Sequence, residues 1–211
     1  MGKEGGGHRA ETYDVELGEA VVRAQAGDET AFSAVYRRVH PPLLGYLRGL
    51  VGDDAEDVAS EAWLEIARDL GRFQGDGAGF RAWTARIARN RAIDHLRRLK
   101  SRPRATLVEQ DLTDLPARHD TAEEAFETLT TGQALALIAT LPRQQAEAVL
   151  LRTVIGLDGV AAARVLGKRP GAVRAATHRG LKRLEKRLAS LERSERSRVT
   201  DPGSGALGDA T

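Results

Sequence analysis

Glycine punctuates this chain at the ends of helical segments, and no stretch of useful length alternates apolar with polar residues as a half-buried strand must. The segment VELGEAVVRAQAGD stops at Gly27, TAFSAVYRRVHPPLLGYLRGLVGD stops near Gly52, and DDAEDVASEAWLEIARDLGRF stops near Gly71. The fold class predicted is all-α. A break comes at KSRPRATLVEQDLTDLPARHDTAEEAFE, where Pro103 and Pro116 bracket a polar, unpatterned stretch before apolar spacing resumes at Leu135, Leu137 and Ile138. That stretch is longer than most connections inside a compact domain. Two separately packed helical domains are therefore expected, at 13–102 and 129–191, joined by a flexible linker at 103–128. The Gly-rich start, 1–12, and the polar end, 192–211, are expected to be disordered tails.

Charge is sorted into blocks although the net charge is only +2 over 211 residues. Residues 53–69 hold seven acids and one Arg, whereas 164–187 hold nine bases and one acid. Such asymmetry implies different partners for different surfaces, one of them a polyanion. The chain has no Cys, which removes disulfides and thiolate metal sites and fits a reducing cytoplasm. It shows neither an apolar leader nor a run near the roughly 18 apolar residues that span a bilayer. A soluble, cytoplasmic protein without membrane insertion is expected. No cluster of His or acids has metal-ligand spacing, and no cofactor motif is present.

The acidic block reads as a helix with Asp53 as N-cap and Glu56 three residues on, a capping-box spacing that also sets acids at the positive end of the dipole. At 100° per residue Ala55, Val58, Ala59, Ala62, Trp63, Ile66, Ala67 and Leu70 form its core face. Leu64 falls opposite, among Asp57, Glu61 and Arg68. An apolar centre with an acidic rim has the composition of a small protein interface, while a stray exposed Leu on a solvated face accounts for the same pattern.

In FRAWTARIARNRAIDHLRRLKSRPR the apolar side begins with Phe80, Trp83, Thr84 and Ile87, and Ile93, Leu96 and Leu99 lie well around the axis from it. This drift implies a bend or a change of packing partner near Asn90. Trp83 continues the apolar stripe and is assigned to the core. Arg86, Arg89, Arg91, Arg97, Arg98, Lys100, Arg102 and Arg104 face a single Asp94, expected to pair with a neighbouring Arg. So one-sided a surface suits phosphate through counterion release. Asn90 can read base edges, and the preceding RFQGDGAG loop has enough Gly for a base to approach the backbone.

GLDGVAAARVLGKRPGAVRAATHRGLKRLEKRL reads as two helices about a tight turn. Asp158 is the candidate N-cap, Gly167 the stop, and Pro170 the first residue of the second helix, where a missing N–H costs nothing. Ala161, Ala162 and Ala163 allow close approach of the two. This is the helix-turn-helix arrangement, whose second helix enters the major groove. Val173, Thr177, Leu181 and Leu184 are expected inward, with Arg174, Ala175, His178 and Arg179 outward.

DDAEDVASEAWLEI, FRAWTARIARNRAIDHLRR, LPRQQAEAVLLRTVIGL and AARVLGKRPGAVRAATHRGLKRL come in the order and at about the spacing seen in bacterial sigma factors. Over roughly residues 15–190 the chain resembles their extracytoplasmic-function (ECF) group, a branch of the sigma-70 family of RNA polymerase specificity subunits. The resemblance implies a sigma2-like domain that docks on RNA polymerase core, at a coiled coil of the largest subunit, through Asp54, Asp57, Ser60, Glu61 and Leu64. It implies that the loop from Phe73 to Gly79, Phe73 and Gly75 above all, with Arg86, Asn90, Arg91, Arg97 and Arg98, holds the minus-ten strand. It places Lys168, Arg169, Arg174, Ala175, His178, Arg179 and Lys182 of a sigma4-like domain against the minus-thirty-five element. Promoter DNA and polymerase are the partners implied, and many family members are also restrained by an anti-sigma factor. The family is not enzymatic.

The chain departs from the family pattern at four places. Ser60 stands where Gln is frequent, Ala161 and Ala162 where Glu and Ile are usual, Arg169 where a small polar cap is common, and Gly180 where Ala is common. Gly within a helix costs about 1 kcal/mol relative to Ala. The competing reading is a helix-turn-helix regulator that binds duplex DNA without polymerase.

Overall fold

The computed structural model describes the backbone of residues 5–101 and 122–199, and the side chains of 11–101 and 131–190. A first lobe comprises α1 (Gly5–Gln25), α2 (Glu29–Val51), α3 (Ala55–Asp69) and α4 (Gly77–Ser101). A second comprises α5 (Ala122–Ala139), α6 (Arg143–Thr153), α7 (Gly159–Leu166) and α8 (Pro170–Val199). Helices thus extend into 5–12, 122–128 and 192–199, which had been assigned to the tails and linker. The rest of the linker and the outer ends lie outside the described residues.

Gly27 and Gly52 end α1 and α2 in positive φ, 93° and 63°, as their positions predicted. The Gly52 N–H then bonds the Arg48 carbonyl. At Asp28 the side chain caps α2 by accepting the Ala31 N–H at 2.9 Å. Pro41 and Pro42 sit inside this helix without ending it. Pro42 has no N–H to offer the Arg38 carbonyl one turn back, and the Tyr13 hydroxyl of α1 donates to that oxygen instead, at 3.0 Å. Burial raises the Tyr13 phenol above its ordinary pKa, against the pull of Arg81 and Arg38, so it stays a donor at neutral pH.

The capping box expected at Asp53 and Glu56 does not form. Gly52–Asp54 is a 3₁₀ turn, and Asp54 precedes α3 without a side-chain cap bond. Because α2 closes directly into that turn, no extended residue aims a carboxylate at the helix start. The acids bond elsewhere, Asp54 to His95 Nε2 at 2.8 Å and Glu56 to Arg48 at 2.9 Å. On α3, Ala67 is exposed rather than buried, while Val58, Ala59, Ala62, Trp63 and Ile66 face the core as expected. α4 is continuous through Asn90 and changes packing partner along its length. Its first half meets α1 and the second lobe, and its second half meets α3.

The two lobes meet along a seam. Arg81 of α4 donates to Asp14 of α1 at 2.8 and 2.7 Å and, through its remaining nitrogen, to the Ile155 and Gly156 carbonyls of the second lobe at 2.9 and 3.1 Å. Glu147 of α6, 4% exposed, accepts from Arg89 of α4 and from Arg143, each at 2.8 Å. A Cβ on Gly49 would lie 2.6 Å from Leu150 Cδ1, so α2 and α6 touch where a larger residue would hold them apart. Leu17, Leu43, Phe80, Leu150 and Leu166 belong to one contiguous apolar cluster.

Candidate docking face and nucleic-acid interface

Burial of Val58, Ala62 and Ile66 turns the opposite side of α3 to solvent, and that side carries Asp57, Ser60 and Leu64. Leu64 is 74% exposed, the most exposed large apolar side chain of the described residues. The Ser60 hydroxyl donates back to the Glu56 carbonyl at 3.0 Å and so is already engaged. Glu61 accepts two contacts from Arg98, at 3.1 and 3.2 Å. Of the five residues assigned to docking, Asp57 and Leu64 are thus the open ones, whereas Asp54 and Glu61 are tied to α4.

The loop before α4 is held from both ends. Gln25 Nε2 donates to the Leu70 and Phe73 carbonyls, at 2.9 and 2.8 Å. Asp76 Oδ1 accepts the Gly79 N–H at 2.7 Å, the role of an N-terminal cap. Phe73 packs edge-on against Phe80, centroids 5.1 Å apart, and against Trp83 at 5.2 Å, which keeps Trp83 in an aromatic cluster. Gly75 adopts φ 152°, and a Cβ there would stand 3.0 Å from the Phe73 ring. The turn is exposed, with the Phe73 ring packed on the side a Cβ of Gly75 would occupy.

Along α4 the expected DNA residues separate into two sets. Arg86, Asn90 and Arg97 are exposed and fall within about 40° of one another around the axis. Arg97 touches Asp94 at 3.5 Å, the ion pair anticipated for that acid. Arg91 and Arg98 instead turn toward α3, Arg91 Nε to Glu65 at 2.7 Å and Arg98 to Glu61. Sequence reasoning missed these pairings, since charges on different helices carry no register in the sequence. It missed the Arg89–Glu147 contact too, although a lone carboxylate in the apolar run AEAVLL of α6 signals a buried partner.

In the second lobe the turn forms as its residues dictate. Asp158 Oδ1 accepts the Val160 and Ala161 N–H groups, at 2.8 and 2.7 Å. Gly167 takes the left-handed conformation, φ 62° and ψ 37°, and Pro170 opens α8. Lys168, Arg169, Arg174, His178, Arg179 and Lys182 are exposed, and Ala175 is half-buried. No carboxylate among the described residues lies within salt-bridge range of the five cations in this set, Lys168, Arg169, Arg174, Arg179 and Lys182. The inward face is Val173, Ala176, Gly180 and Leu184, with Thr177 half-buried and its hydroxyl 3.5 Å from the Ala148 carbonyl; Leu181, expected inward, is 44% exposed. The shift follows from Gly180, where a Cβ would come within 2.7 Å of Val149 Cγ2, so the helix lies closest to α6 there and rotates Leu181 out. Among the described residues no group of His, Cys, Asp and Glu could hold a metal, and no helix is long and apolar enough to cross a membrane.

Residues 35–102 match the family model for Sigma-70 region 2, and residues 131–184 match that for Sigma-70, region 4. The chain is 33% identical over 182 residues to the ECF RNA polymerase sigma factor BldN of Streptomyces coelicolor, covering 85% of this chain and 68% of that one. It is 35% identical over 179 residues to the ECF RNA polymerase sigma factor ShbA of Streptomyces griseus, covering 80% and 93%. The chain belongs to the ECF sigma factors. In fold this sigma factor is similar to the sigma factor RpoE of Bartonella quintana, solved with the anti-sigma factor NepR. The TM-score is 0.59 at 21% identity, over 75% of this chain and 96% of that one. The region 2 match takes in most of α2 with α3 and α4, and the region 4 match runs from α5 into α8, so both basic surfaces of this sigma factor lie inside family regions.

Proposed function

We propose that this sigma factor brings RNA polymerase core to promoters by dividing the work among three surfaces. Asp57 and Leu64 of α3, with Glu61, dock on a helical pair of the polymerase. Arg86, Asn90 and Arg97 of α4 and the backbone around Gly75 hold the minus-ten strand once its bases leave the stack. Extruding a base costs a few kcal/mol, which backbone cations and a pocket offset. Arg174, His178 and Arg179 enter the major groove of the minus-thirty-five element, with Lys168, Arg169 and Lys182 on its phosphates. The single observation that supports this reading best is that the open residues, Asp57 and Leu64, Arg86, Asn90 and Arg97, and Arg174, His178 and Arg179, are exposed, each group on its own helix. The protein supplies binding rather than catalysis and works in the cytoplasm. A titration of its surfaces by an anti-sigma factor fits this reading, as RpoE is found with NepR.

Transcription with purified core polymerase on a genomic fragment library, with mapping of 5′ ends, tests the proposal. Discrete starts that share two upstream elements and require this chain are expected. Tight sequence-specific duplex binding without core, and no initiation with it, would instead make the chain an ordinary helix-turn-helix regulator.

A further inference from the structure

We infer that Arg89 is a further promoter-strand contact, masked in the closed body by Glu147 of the second lobe and released when the lobes separate. The inference rests on the assignment of α4 to the minus-ten strand. Arg89 lies on α4 about 60° around the axis from Arg86 and one residue before Asn90, so it borders the open stripe of that helix. Its Nε donates to Glu147 Oε2 at 2.8 Å, with side-chain exposures of only 20% and 5%. A carboxylate there occupies the place of a phosphate, and a cation so paired releases no counterion to DNA.

Geometry requires the separation. Elements centred near ten and thirty-five base pairs upstream stand about 25 steps apart, roughly 85 Å of duplex. A compact chain of this length has a radius of gyration of about 17 Å. With its lobes joined the protein cannot lie on both elements, so the seam between α4 and α6 opens in the working state. The seam is part apolar, where Gly49 meets Leu150 and Gly45 meets Val154, and part ionic, and its ionic part regains water when the lobes part. Arg81, Arg89 and Glu147 supply its ionic part, and the buried Tyr46 Oη beside them finds no hydrogen-bond partner. Once open, Glu147 keeps Arg143, and Arg89 is left beside Asn90 without a counter-charge.

Binding of the full chain to a fluorescein-labelled, mixed-sequence 20-nucleotide single strand, followed by anisotropy between 50 and 200 mM salt, tests this. X-ray scattering on the same samples reports the separation. Glu147→Gln is expected to raise the radius of gyration and to tighten binding about fivefold at 0.1 M salt, with a salt slope steeper by about 0.7, the increment of one added strand contact. The gain should vanish in Glu147→Gln/Arg89→Gln, and Arg89→Gln alone should bring none. An equal gain in the double variant, or opened lobes with unchanged affinity, overturns the inference, as does Glu147→Gln leaving both radius and affinity unchanged. Arg81→Gln, which opens the seam from its other end, replaces Glu147→Gln if the latter fails to fold, with the same outcomes. Arg86→Gln separates the two levels: undiminished binding there refutes the α4 assignment itself, whereas diminished binding with no gain in Glu147→Gln refutes only the masking of Arg89.

Discussion

Arg98, a base expected on DNA, donates to Glu61, an acid expected on polymerase, at 3.1 Å. The α3–α4 seam therefore spends part of each surface on the other, and the groups left open weigh most in recognition. Leu64 is such a group, standing 74% exposed beside an open Asp57. Leu64→Ala should cost tenfold or more in affinity for core, the scale of an apolar anchor at an interface centre. Its folding stability should stay within about 0.5 kcal/mol of the parent, as for exposed sites generally. Competition binding to labelled core, beside a urea melt, checks both halves; a variant that docks normally removes Leu64 from the interface.

The second lobe supports a graded prediction. Arg174→Ala and Arg179→Ala should each weaken minus-thirty-five binding by about 1–3 kcal/mol, with relaxed preference at particular base pairs if they read guanine. Lys182→Ala should weaken all sequences alike and reduce the salt slope by about one. Duplex titrations with point-substituted elements at several salt concentrations distinguish the two patterns. The assignment fails if Arg174 and Arg179 behave as Lys182 does.

What the sequence made legible was local. Gly27, Gly52 and Gly167 end helices where their spacing placed them, Asp158 caps where a cap was expected, and the inward stripe of α3 is read correctly except at Ala67. Pairing between distant helices was not legible. Asp54 looked like part of a helix start, and only the fold carries it to His95, 41 positions away. Packing of the lobes was hidden for the same reason, since Arg81 on Gly156 and Arg89 on Glu147 join residues 75 and 58 positions apart. The candidate surfaces fared similarly: exposure of Arg86, Asn90 and Arg174 follows from helical phase, whereas the capture of Arg91 by Glu65 depends on the crossing of two helices.

Gly180 reverses its usual sign. By propensity, Gly180→Ala should gain about 1 kcal/mol, yet the new methyl would sit 2.7 Å from the branched Val149. Overpacking of that kind costs about 1–3 kcal/mol, so a net loss of up to about 2 kcal/mol is expected. Gly77→Ala should be worse. Its Cβ would fall 2.0 Å from the Asp14 carbonyl oxygen, and backbone there can yield only by parting α1 from α4. Chemical denaturation at matched slope measures both; a stabilised Gly180→Ala would show that α8 and α6 pack less closely.

Acid sensitivity at the start of α2 follows from the Asp28 cap. The Ala31 N–H, and then Arg23, hold the Asp28 carboxyl below its ordinary pKa. A pKa depressed on folding means that the unfolded chain takes up the proton first. The cap's contribution is therefore complete above the unfolded value of about 3.9 and is lost as pH falls through the lower folded value. Asp28→Asn keeps an oxygen to accept the Ala31 N–H but does not titrate. The stability difference between parent and variant should be constant above about pH 5 and shift toward the variant as pH falls below about 4. Thermal melts of both proteins across pH 2.5–6 test this, and a difference independent of pH throughout would mean that Asp28 does not cap α2 as a carboxylate.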